Sequence, residues 1–175
     1  MWRPFVVAGM CVLTACSGSP TDPSSPSSPG PGSGGSTLTC PQFVGTAVRA
    51  QGTMTASING ASWTADCIAV FANSATIFSL GAGDLATGAT YQTVGFAGNK
   101  VVGTQTINAL SPVNASLTQG SNGWSASLAQ GSGTLVMTTV TNNAAAGTFT
   151  FTMPPVPGNP ATGTKTVTGS FNLTF

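Results

Sequence analysis

Few side chains in this sequence could do chemistry. Its 175 residues include four cysteines, three acidic and four basic residues, and neither histidine nor glutamate. Without an imidazole, Ser-His-Asp and Cys-His arrangements lack their base. Glycoside hydrolysis needs two carboxyl groups flanking one bond, and Asp66 and Asp84 are the only acids outside a Ser/Pro-rich stretch that holds Asp22. Asp66 directly precedes Cys67, and Asp84 ends Gly81-Ala82-Gly83-Asp84; both read as turn or edge residues. Zinc has no ligand set once Cys40 and Cys67 pair, and calcium would have to complete its shell with carbonyl oxygens around two carboxylates. Gly131-Ser132-Gly133 lacks the lysine of a phosphate loop. The expectation is a non-enzymatic chain with no catalytic residue, metal or cofactor.

The cysteines carry what chemistry there is. Cys16 ends Leu13-Thr14-Ala15-Cys16, after a short apolar run over residues 5–13 that Arg3 precedes. One positive charge, a short apolar core and small residues before a cut site describe a secretory signal peptide, and the run is too short to span a bilayer as a helix. The four residues resemble the bacterial lipobox. That resemblance implies cleavage after residue 15, acylation of Cys16 by palmitate-like chains, and Cys16 as the mature first residue. Two or more acyl chains anchor a protein stably, at about 0.8 kcal/mol per buried CH2. Ser17 follows the cysteine, and no aspartate stands there. By the same resemblance the destination is the outer membrane, or the outer face of the plasma membrane in a single-membrane envelope. Cys11 leaves with the signal, so Cys40 and Cys67 remain as a candidate disulfide, in keeping with an oxidising compartment.

Residues 16–39 continue as Ser, Pro, Gly and Thr. Such a segment buries too little apolar surface to offset its ordering entropy and reads as a disordered tether. Residues 40–175 have the length of one domain. After loss of Arg3, three cations face three anions. A chain without a basic patch has nothing to neutralise phosphates, so nucleic acid is excluded as a partner. Membrane contact would fall to the lipid, and the remaining partner is an envelope protein or a glycan.

Within residues 40–175 the apolar period is two. Val167, Phe171, Leu173 and Phe175 alternate with polar residues, and Gly169 takes an inward slot without a side chain. Phe149, Phe151 and Met153 alternate with threonines, and so do Met54, Ala56 and Ile58 with threonine and serine. Asn59-Gly60 and Asn142-Asn143 mark two hairpins. Residues 154–160 form a proline-rich loop. Weaker strands are expected over 67–72, 76–80, 89–96, 114–117 and 123–126, and no helix is expected. About nine short strands make an all-β antiparallel sandwich or a small soluble barrel.

Trp63, Tyr91 and Trp124 are the candidate ligand-binding residues. Exposed rings on a sheet can stack on sugar faces; otherwise Trp63 is a core anchor with its indole N–H satisfied inside. The apolar alternation that ends at Phe175 also suggests a rival, an outer-membrane barrel, although the chain's single tyrosine is a poor aromatic girdle.

One further resemblance spans most of residues 53–175. Asn59-Gly60-Ala61-Ser62-Trp63-Thr64-Ala65 is similar to the Asn-Gly-x-x-Trp-x-Ala opening of a group of small bacterial lipoproteins. Gly133-Thr134-Leu135, Gly147-Thr148-Phe149-Thr150-Phe151, Gly163-Thr164 and the stretch from Val167 to Phe175 resemble its later elements. It implies the all-β fold and the lipid anchor, and brings no catalytic residue.

Overall fold

A computed structural model describes residues 40–85, 91–110 and 112–175. The expected signal peptide (residues 1–15), Cys16 and the expected tether lie outside the described residues. One short helix, α1 (Cys40–Val44), opens the described chain. Twelve strands follow: β1 (Val48–Arg49), β2 (Gln51–Ile58), β3 (Ala61–Thr64), β4 (Cys67–Asn73), β5 (Ile77–Asp84), β6 (Gln92–Asn99), β7 (Gly103–Thr106), β8 (Asn114–Gln119), β9 (Asn122–Ala126), β10 (Ser132–Val140), β11 (Ala144–Met153) and β12 (Lys165–Thr174).

The strands form two antiparallel six-stranded sheets. The first has the order β1-β4-β5-β6-β8-β9 and the second β3-β2-β12-β11-β10-β7. Each sheet has two ends and the two pack face to face, so the fold is the expected sandwich rather than a barrel. The outer-membrane alternative is thereby corrected. Phe171 and Leu173 are buried with the core cluster, and the outward partners Thr168, Ser170, Asn172 and Thr174 are exposed. The inward phase of β12 faces the other sheet and not a lipid belt.

Two-residue periodicity explains each sheet's faces. On β11, Ala145, Phe149, Phe151 and Met153 are buried, while Thr148, Thr150 and Thr152 are exposed. Phe96 of β6 reaches across the interface to Phe149 and Phe171, at 5.2 Å between centroids in each case. The large rings are accommodated by glycine directly opposite. Gly133 pairs with Phe151, Gly147 with Phe171, and Gly169 with Phe149.

The β2–β3 hairpin turns at Asn59 and Gly60 with φ of 49° and 87°, the two positive values a type I′ turn requires. Asn59 also locks the turn to β12: its Oδ1 accepts from the Thr166 amide at 2.7 Å. The Asn142-Asn143 turn joins β10 and β11 as expected.

Three details differ from the sequence expectation. The described residues hold twelve strands and not about nine; β1 and β7, among those not expected, are too short to show a period. A five-residue helix precedes them. Gly81-Ala82-Gly83-Asp84 is the end of β5 and not a loop. Phe78, Leu80 and Ala82 keep the inward phase, and the glycines simply occupy the outward one.

Candidate functional site

The outer face of the first sheet is partly covered by α1. Cys40 of α1 is disulfide-bonded to Cys67 of β4, with the Cα atoms 5.5 Å apart. Val44, Cys67, Ala69 and Leu85 form a small second cluster there, with Phe43, Ala47 and Tyr91 packed against it. A five-residue helix is far too short to persist alone. The disulfide and this cluster hold it on the sheet.

Beside α1 the face is left open. The pairing register sets Gly81 of β5, Gly95 of β6 and Ser116 of β8 in one row across the sheet. The row is shallow because two of its members have no side chain. On the α1 side, the β4–β5 register slips between Val70 and Ala72, which makes Phe71 the extra residue of a bulge. Strand alternation after Ile68 and Val70 already points Phe71 outward, where it is 55% exposed. Its ring extends over Gly81: a Cβ built on Gly81 would lie 2.8 Å from Phe71 Cε2 and 3.5 Å from Phe43 Cζ. Phe43 meets Phe71 edge to face at 6.3 Å. The result is a groove of about 290 Å³, with the two rings as one wall and Thr93, Asn114 and Ser116 along the floor and the other side.

The residues singled out from sequence fall elsewhere. Trp63 is 6% exposed and Trp124 4% exposed, both in the core between the sheets. Tyr91 is half-buried beside α1. The exposed aromatic row is therefore not formed. Trp63 shares the inward phase of β3 with its flanks Ser62 and Thr64 outward, and Trp124 shares that of β9 with Ala126. Trp124 Nε1 donates to the Gly163 carbonyl at 2.8 Å, and the Lys165 ammonium sits 4.9 Å from its ring centroid. Trp63 is the expected core anchor, but its indole N–H has no hydrogen-bond partner among the described residues.

Asp66 is exposed and accepts from the Leu85 amide at 3.0 Å through Oδ2, while its own amide donates to the Gly83 carbonyl at 2.9 Å. It ties the start of β4 to the end of β5, where Asp84 also lies. Among the described residues no three His, Cys, Asp or Glu side chains gather as a metal site.

Sequence reasoning missed Phe43 and Phe71. A signal for Phe71 was present: Ile68 and Val70 set an inward phase that places Phe71 outward. No family model, curated protein or solved structure matches the chain.

Proposed function

We propose that the chain is an exported lipoprotein. In this reading residues 1–15 are removed, Cys16 is acylated, and residues 16–39 tether the sandwich to a membrane at the cell envelope. The domain is a non-catalytic module that binds a partner or spaces other parts. The face is the outer membrane, or the outer side of the plasma membrane where there is only one.

The observation that carries this reading is Leu13-Thr14-Ala15-Cys16 after a short apolar run with one preceding arginine. The Cys40–Cys67 bond supports it, since disulfides persist in oxidising compartments. The resemblance to small bacterial lipoproteins supports the same assignment. The absence of histidine and glutamate from the sequence, and the use of Asp66 to hold a backbone amide, favour a module without catalysis. Metabolic labelling with a clickable palmitate tests the anchor. The expected result is labelled wild type in the membrane fraction and unlabelled Cys16→Ser. An unlabelled wild-type protein overturns the reading.

A further inference from the structure

We infer that the groove over Gly81 and Gly95 is a binding site for one ring of a neutral glycan, with Phe71 as the stacking platform. The inference deepens the binding role proposed above and needs the envelope location only as the place where glycans are met.

Four observations bear on it. Phe71 keeps the outward phase that Ile68 and Val70 set and is more than half exposed, and the register shift at this position leaves it without a partner residue on β5. A second ring, Phe43, is brought to it by α1, and α1 is bonded covalently to β4 at Cys67. The two rings thus form a braced wall and not a loose pair of surface side chains. Next to that wall Gly95 lowers the floor by omitting a side chain, and Gly81, directly opposite it in the register, leaves room for the Phe71 ring to lie over the sheet. Beyond the glycines the lining turns polar: Ser79, Thr93, Asn114 and Ser116.

The chemistry of that lining selects the ligand. Hydroxyl and carboxamide groups donate and accept hydrogen bonds. None of the lining residues is charged, so an anionic or cationic ligand would be desolvated there without a partner. A wholly apolar ligand would suit the rings but would cover the hydroxyls without bonding them, at a similar cost. A pyranose matches both sides. Its C–H face carries partial positive charge and suits the negative face of an aromatic ring. Its equatorial hydroxyls can exchange hydrogen bonds with Ser79, Thr93, Asn114 and Ser116. About 290 Å³ is at the lower end of ligand-site volumes, which fits a single ring of a longer chain lying across the open face.

The test uses the full lipidated chain in a zwitterionic detergent free of sugar headgroups. It is titrated calorimetrically with maltohexaose, cellohexaose, mannohexaose and chitohexaose. At least one should bind at about 10 mM, a concentration that saturates a site of about 1 mM affinity. Phe71→Leu keeps an apolar cover on Gly81 but removes the ring. Ser116→Phe fills the groove from an exposed outward position. Each should weaken binding at least tenfold, by about 1.4 kcal/mol or more. The fluorescence of the buried Trp63 and Trp124 should stay at its wild-type position in both, reporting an intact core. No binding of any of the four sugars overturns the site, and so does binding that both substitutions leave unchanged. If sugar binding is absent in a chain that takes up palmitate, the site fails and the lipoprotein reading stands. If a chain that takes up no palmitate binds sugar, the lipoprotein reading fails and the site stands.

Discussion

Replacing Gly169 by alanine should destabilise this protein, against the usual direction for such a change. Glycine inside a strand ordinarily costs about 0.5–1 kcal/mol relative to alanine, through the entropy of the unfolded chain. Here the missing Cβ makes room for a ring. A Cβ on Gly169 would lie 2.5 Å from Phe149 Cζ and 3.0 Å from Ala56 Cα, and would run into the Thr55 carbonyl oxygen. Neither side can yield cheaply. The Phe149 ring is buried, 5.2 Å from Phe96 and 5.9 Å from Phe151, and Thr55 and Ala56 belong to the neighbouring ladder of β2. Overpacking of this kind costs about 1–3 kcal/mol. Subtracting the entropy gain leaves a net loss of about 1 kcal/mol at mid-range and of at most about 2.5 kcal/mol. With a urea slope of about 2 kcal/mol/M, the unfolding midpoint falls by about 0.5 M at mid-range and by at most about 1.2 M. Urea titration with the disulfide intact, followed by tryptophan fluorescence, measures it. A midpoint equal to or above wild type refutes the claim that the Phe149 ring and the β2 backbone occupy that space.

Phe171→Ala should cost about 3–5 kcal/mol, enough to unfold a marginal domain, because its ring meets Phe96 from the opposite sheet as well as Phe149 beside it; retention of a cooperative transition within about 1 kcal/mol of wild type would contradict this packing. Cys67→Ala opens a crosslink across a sequence separation of 27 residues and should lower stability by about 3.5 kcal/mol in the chain-entropy account; equal urea midpoints for the variant and oxidised wild type would show that the bond does not constrain the unfolded chain.

The sandwich was legible because its strongest strands carry a clean alternation. Thr148, Thr150 and Thr152 of β11 and the alternating Thr, Ser and Asn of β12 announce both the strands and their solvent faces, and Asn59-Gly60 announces the turn that follows β2. Glycine was the main source of error. Gly81 and Gly83 look like turn residues in a linear reading, yet they continue β5 because the sheet needs small outward residues beneath Phe71 and Leu85. Trp124 misled for a related reason. A tryptophan among serines and threonines suggests a surface platform, but on β3 and β9 strand phase decides the side, and Trp63 and Trp124 both fall inward. The groove was invisible because it depends on long-range register. Nothing local brings Phe43 to Phe71 or sets Gly81 opposite Gly95.

The proline-rich segment after β11 does more than connect β11 to β12. Its Pro154 carbonyl accepts from the Ser125 amide at 3.1 Å and its Val156 amide donates to the Gly123 carbonyl at 3.0 Å, along the free side of β9. Asn159 adds a bond to the Gly123 amide at 2.7 Å. A bare strand edge invites the same edge of another copy, the first step toward open-ended polymers. Here β9 offers its outer hydrogen-bonding groups to a segment holding Pro154, Pro155 and Pro157, which lack the N–H needed to pass the ladder on. The first sheet is thereby terminated on that side by its own chain, and molecules crowded side by side would find no template there on which to stack.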